Sequence, residues 1–185
     1  NAGLDKIEAR YGRKVADFVG TMVQEGGRLI RERVAKYNIA CDLKDGNIFA
    51  AFTKKQMDEL AAMKALWSRH GMDDHEMLDR AGIRAHVASD IYLGGMLDRS
   101  GGHMHPLNLA LGQATALESL GGIIHEDSAV TVVESVVGAP VVRTDRGIVR
   151  PKVLILAGNA YLGHAVPELE NRVMPFSTQM LATEP

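Results

Sequence analysis

The segment Lys152-Val153-Leu154-Ile155-Leu156-Ala157-Gly158 constrains this chain more than any other. An apolar run with no polar alternation, closed by glycine, is the pattern of a strand covered on both faces, and such strands belong to parallel sheets flanked by helices. What precedes it suits that layer. Pro106 fits the first position of a helix, where its missing N–H would have had no partner, and Leu107, Leu109, Ala110, Ala114 and Leu117 carry the helix to Gly121. Ile123-Ile124 reads as a short strand. Ala129 to Val137, Val141 to Thr144 and Ile148-Val149 read as three β runs, separated by Gly138-Ala139-Pro140 and Asp145-Arg146-Gly147. A helix, a meander and a buried strand predict an α/β layer.

The first hundred residues have a different rhythm. Apolar residues fall three or four apart from Leu4 through Ile7, Tyr11, Val15, Phe18, Val19 and Met22 to Val34 and Tyr37, which predicts one long helix or two broken near Gly12, with Gly26-Gly27 a second weak point. Ile39 to Leu43 and Asn47 to Phe52, joined by Asp45-Gly46, predict a β-hairpin. Thr53 to Gln56 has the capping-box pattern and Gly71 the place of a C-terminal cap, so a helix fills Lys54 to His70. A shorter helix is expected over Asp74 to Val87, then strand at Ile91 to Leu93 and Met96-Leu97 interrupted by Gly94-Gly95. Asn1 is not an initiator methionine and the chain stops at Pro185 after a strand-like run, Phe176 to Thr183, so a piece of a longer protein is expected.

Charge and composition exclude several classes. With 21 Lys+Arg against 23 Asp+Glu the formal charge is −2, without the basic excess or basic block of a phosphate-tracking surface, so no nucleic-acid partner is expected. The longest apolar runs fall far short of the roughly 18 residues of a membrane span, which points to a soluble protein. One cysteine, Cys41, can form neither an internal disulfide nor a Cys-based zinc site, and this fits a cytoplasmic location.

Chemistry-bearing residues are few. A buried strand ending Ala157-Gly158-Asn159-Ala160-Tyr161 would bring a small-residue turn to the carboxyl edge of a sheet, where glycine lets a phosphate approach and a helix starting near Tyr161 offers free N–H groups. The same turn can be glycine-rich merely to reverse the chain. The dinucleotide fingerprint G-x-G-x-x-G is absent from these residues. His103 and His105 form an H-x-H pair that invites a metal, yet no third ligand sits at helical or hairpin spacing, so none is expected. His70 and His75 flank Gly71-Met72-Asp73-Asp74 and read as a solvated polar loop. Cys41 has no basic neighbour to lower its pKa and reads as a small core residue, while Met22, Met57, Met63, Met77 and Met180 occupy apolar positions as core filler.

The order of several segments resembles a known family, the FAD-dependent amine and amino-acid oxidases of the D-amino-acid oxidase type. They are Gly101-Gly102-His103-Met104-His105-Pro106-Leu107-Asn108-Leu109, Leu120-Gly121-Gly122-Ile123-Ile124-His125-Glu126, Ser128-Ala129-Val130-Thr131, Val141 to Gly147, and Val153 to Tyr161. The likeness runs over almost the whole chain and places it in the interior of such an enzyme. It implies a mixed α/β (α+β) fold: the interior part of a two-domain, glutathione-reductase-like FAD-binding fold with an antiparallel-sheet substrate domain. Residues 1–100 would belong to the substrate side, 101–164 to the FAD-binding domain, and 165–185 again to the substrate side.

The resemblance also implies roles. FAD is the cofactor. Val130 matches a residue whose backbone contacts adenine, though a plain meander residue would read the same. Ala157, Gly158 and Asn159 match the strand end beside the phosphates and ribityl chain, and His103 lies on a loop that passes the substrate side of the flavin. The partner is a small-molecule amine, gamma-glutamylputrescine being the first expected, and a homo-oligomer is expected. The activity implied is oxidation of a C–N bond by hydride transfer to the flavin, with reoxidation by dioxygen; no catalytic side chain is implied. The alternatives are a free-standing α/β module that holds no cofactor and a nicotinamide-dependent enzyme.

Overall fold

In a computed structural model, residues 3–135, 138–170, 172–174, 176 and 177 are described, and they form two compact units, 1–122 and 123–185.

In the first unit the helical periodicity becomes α1 (Leu4–Tyr11) and α2 (Arg13–Lys36), broken at Gly12, whose φ of +83° only glycine takes without cost. Gly26-Gly27 leave α2 unbroken. Next come β1 (Lys44–Ala51) and α3 (Lys54–Arg69), with the Thr53/Gln56 capping box formed in both directions. Gly71, at φ +77°, follows the C-cap His70. The helix expected over 74–87 is instead β2 (His75–Leu78) and one turn of α4 (Arg80–Arg84), because the Asp79 carboxylate accepts from the Gly82 N–H and starts a new helix there. After β3 (Gly94–His103), α5 (Pro106–Ser119) opens on its proline, as expected.

The sheet order is β1-β3-β2, antiparallel throughout. Two expectations fail here for one reason, the central place of β3. Gly94-Gly95 do not interrupt a strand; they begin it, since a Cβ at Gly94 would stand 2.3 Å from the Leu78 carbonyl oxygen and one at Gly95 2.6 Å from that of Phe49. Asp45-Gly46 do not turn a hairpin either. Gly46 takes φ +90° within β1, where the register against β3 shifts between Asp45 and Asn47, so the pair forms a bulge while residues 39–43 run outside any strand. Leu78, Ile83 and Leu97 make the core with Ile48 and Tyr92 packed on it. Phe49 meets Trp67 edge to face at 6.1 Å between centroids. Of the methionines read as core, Met22 is exposed, and Met180 lies outside the described residues, as does most of the run 176–183.

The second unit is the expected meander: β4 (Val130–Ser135), β5 (Val141–Thr144) and β6 (Ile148–Val149), antiparallel in sequence order. Residues 136 and 137 of the first β run are outside the described residues. Val133, Val142 and Val166 form its core with Leu154, Leu156 and Leu162 against them. Neither Ile123-Ile124 nor 152–158 is a strand. Leu154 and Leu156 face this core, whereas Val153 and Ile155 are exposed, and among the described residues no strand runs alongside to cover the second face. The expected helix at Tyr161 is a 3-10 turn, Asn159–Ala165, followed by α6 (Pro167–Glu170).

Candidate functional site

The second unit carries the turn singled out by its sequence. Ala157 is exposed, Gly158 caps the 3-10 turn, and Asn159 takes φ +47°, a left-handed conformation that asparagine tolerates better than most residues. A Cβ at Gly158 would come within 2.9 Å of Leu162 Cδ2, so this glycine lets the turn close on its own leucine. Val130 opens β4 opposite Thr144 and is half-exposed; β4 packs against the 3-10 turn, which keeps Val130 and the 157–159 segment in one structural unit. The backbone of 152–157, unpaired with any strand among the described residues, together with a side-chain-free Gly158, fits the kind of group that dinucleotides meet through main-chain contacts.

His103 is in the other unit, exposed at the end of β3 and opposite Lys44. Of the H-x-H pair, His105 is the N-cap of α5, its Nδ1 accepting from the Asn108 N–H at 3.2 Å. Among the described residues no three His, Cys, Asp or Glu side chains are grouped to hold a metal ion. Asp42 lies near both histidines; its carboxyl is held below the usual carboxylate range chiefly by the Lys44 ammonium 2.8 Å away, with smaller help from His103 and His105. Cys41 is fully buried, as a core residue should be.

The histidines read as a solvated loop are both buried. His70 stands between helices, Nδ1 at 2.7 Å from Asp17 Oδ1 and Nε2 at 3.5 Å from Glu8 Oε2, and this hydrogen bond, ahead of the Arg13 guanidinium, holds Asp17 below the usual carboxylate range. His75 faces Asp98 across the β2–β3 ladder, Nε2 to Oδ1 3.5 Å, and its ring packs at a tilt against Trp67, 4.7 Å between centroids. Burial of the His75 ring follows from the β2 strand that local pattern missed, with an alternation of His75 and Met77 on one face as its only trace, while His70, the C-cap of α3, is buried against Glu8 of α1 and Asp17 of α2.

His75 and Asp98 line a half-open cavity of about 610 Å³ in the first unit. Leu4 and Ile7 of α1, Val19 and Ile30 of α2, Trp67 and Met72 supply apolar walls, and Arg31, Ser100, Gly101 and Gly102 share the polar end. Arg31 fixes that end: it donates to Asp45 Oδ1 at 2.8 Å and to the carbonyls of Gly27, Ser100 and Gly101.

Comparison with known proteins adds the family dimension. The family profile described as FAD dependent oxidoreductase matches residues 2–185. The gamma-glutamylputrescine oxidoreductase of Escherichia coli (strain K12) is 49% identical over 182 residues, 98% of this chain and 42% of that protein. The probable oxidoreductase OrdL of Haemophilus influenzae is 34% identical over 99% of this chain and 44% of its own length. This chain thus spans less than half of the relatives it matches. The fold is that of the glycine oxidase of Geobacillus kaustophilus, with a TM-score of 0.61 at 21% identity over 79% of this chain and 39% of that one. The L-proline dehydrogenase of P. horikoshii shares it too, with a TM-score of 0.66 at 13% identity over 82% of this chain and 39% of that one. Nothing in these likenesses supports a cofactor-free module.

Proposed function

The chain belongs to the FAD dependent oxidoreductase family, and from that membership we propose that the protein containing it oxidises the C–N bond of an amine, gamma-glutamylputrescine before others. The half-identity with a relative of that name over nearly the whole chain carries the reading. When bound, FAD supplies the acceptor for a hydride from the carbon beside the nitrogen and passes the electrons to dioxygen, giving peroxide.

The chain's own part is to bind, orient and exclude water. The Val130 backbone would lie at the adenine, and Ala157, Gly158 and Asn159 beside the phosphates and ribityl chain, where a backbone unpaired with any strand among the described residues suits close contact. His103, exposed at the end of β3, would face the substrate side. In this reading residues 1–100 and 165–185 serve the substrate side and 101–164 the FAD-binding domain. A cytoplasmic location, supported by a single buried thiol, and a homo-oligomer belong to the same proposal.

Purification of the whole protein tests it. The expected preparation is yellow, releases FAD on denaturation, and forms peroxide with gamma-glutamylputrescine. A colourless protein with no extractable flavin refutes the flavoenzyme, and a flavoprotein inert toward that amine refutes the substrate.

A further inference from the structure

We propose that the cavity of the first unit binds a small amphipathic cation, an alkyl chain ending in a primary ammonium group, with the chain along α1 and α2 and the ammonium at Asp98 and His75. About 610 Å³ is within the range of small-molecule pockets, and the walls are largely apolar. The polar end is narrower in its chemistry. His75 Nδ1 lies 3.2 Å from the Met72 carbonyl, which can only accept, so Nδ1 carries the hydrogen and in the neutral ring Nε2 is left as an acceptor. Three donors reach Asp98, the Ser100 N–H, the Ser100 hydroxyl and the Gly101 N–H, and all three go to Oδ1. Among the described residues no donor reaches Oδ2. A Cβ at Gly101 would stand 2.9 Å from Oδ2; glycine leaves that space open.

The charge balance selects a cation. Arg31 is answered by Asp45 and by three carbonyls, whereas Asp98, with its side chain 16% exposed, has no Lys or Arg partner at this end and meets only the His75 ring, which brings a charge only when protonated. A carboxylate withdrawn from water gains most from a donor that is itself charged. An ammonium brings three donors to two acceptors, Asp98 Oδ2 and His75 Nε2. An anion would meet Asp98, and a neutral alcohol would leave its charge unanswered. The proposal does not rest on the flavin reading, and no flavin enters its test.

Trp67, the only tryptophan of the chain, lines the cavity and reports its occupancy. The 185-residue chain is titrated at neutral pH with n-hexylamine, n-hexanol and hexanoate while its emission is followed. A saturable change is expected with the amine, at least tenfold weaker binding with the alcohol, and none with hexanoate. Asp98→Asn keeps an oxygen for the Ser100 and Gly101 donors, so it should bind the amine at least tenfold more weakly and the alcohol unchanged. Val19→Phe, which fills the cavity from α2, should abolish both responses. Equal responses to amine and hexanoate overturn the proposal, as does undiminished amine binding by either variant. Should Asp98→Asn not fold, the wild-type ligand series and Val19→Phe decide alone.

Discussion

At the scale of single residues the glycines of β3 are the sharpest constraint. Gly94→Ala or Gly95→Ala would drive a methyl against a backbone oxygen on a neighbouring strand, which cannot yield as a flexible side chain can. Each should destabilise the first unit by about 2–3 kcal/mol, the upper range for overpacking, in urea unfolding followed at Trp67; a change below about 0.5 kcal/mol, as at an ordinary surface site, would contradict the close approach. Asp17 carries a pH dependence. Its folded carboxyl is held below its usual range by His70, so the stability it contributes is complete above that range and is lost as pH falls through and below about 4. Asp17→Asn should therefore lower the melting temperature at pH 7 while its curve converges with wild type on acidification; parallel curves would exclude the pairing. Gly158→Val joins structure to the proposed cofactor. Because its Cβ would press on Leu162, some loss of melting temperature is expected along with lower flavin content in the whole protein, and a loss of flavin with no thermal change would show that Leu162 gives way.

At the scale of elements, Thr53→Ala removes the side chain that accepts from the Gln56 N–H and should cost about 1 kcal/mol, read from chemical unfolding. That capping box was legible in four letters because both partners lie within one turn. The helix break at Gly12, the Pro106 helix start and the three meander strands were legible on the same ground, since each is decided by neighbours in sequence. The bulge at Asp45-Gly46 was not. The pair demands a positive φ, which a hairpin turn and a bulge satisfy equally, and only the distant strand β3 decides between them. His75 and Asp98 were hidden for the same reason: they meet across a ladder that joins residues 23 apart, and no local pattern announces the cavity they line. The run 152–158 erred in the other direction, its apolar character implying a second covered face that no strand among the described residues supplies.

At the scale of the molecule, the phosphate-holding fingerprint is not within these 185 residues, so the 157–159 turn would meet a dinucleotide without it. The isolated chain should bind FAD weakly or not at all; stoichiometric, sub-micromolar quenching of flavin fluorescence would move the phosphate site into this chain. Each unit has its own core, yet they are built over very different stretches of chain. The meander pairs each strand with the next, whereas β1 and β2 both await β3, which sits between them but is made last. A ribosome adding about 5–20 residues per second needs several seconds to travel the roughly fifty residues from the end of β1 to the end of β3. Throughout that interval β1, joined by β2 only once Leu78 has been added, stands without its partner, so the sheet's edges are most open to other chains during synthesis, until His103 emerges.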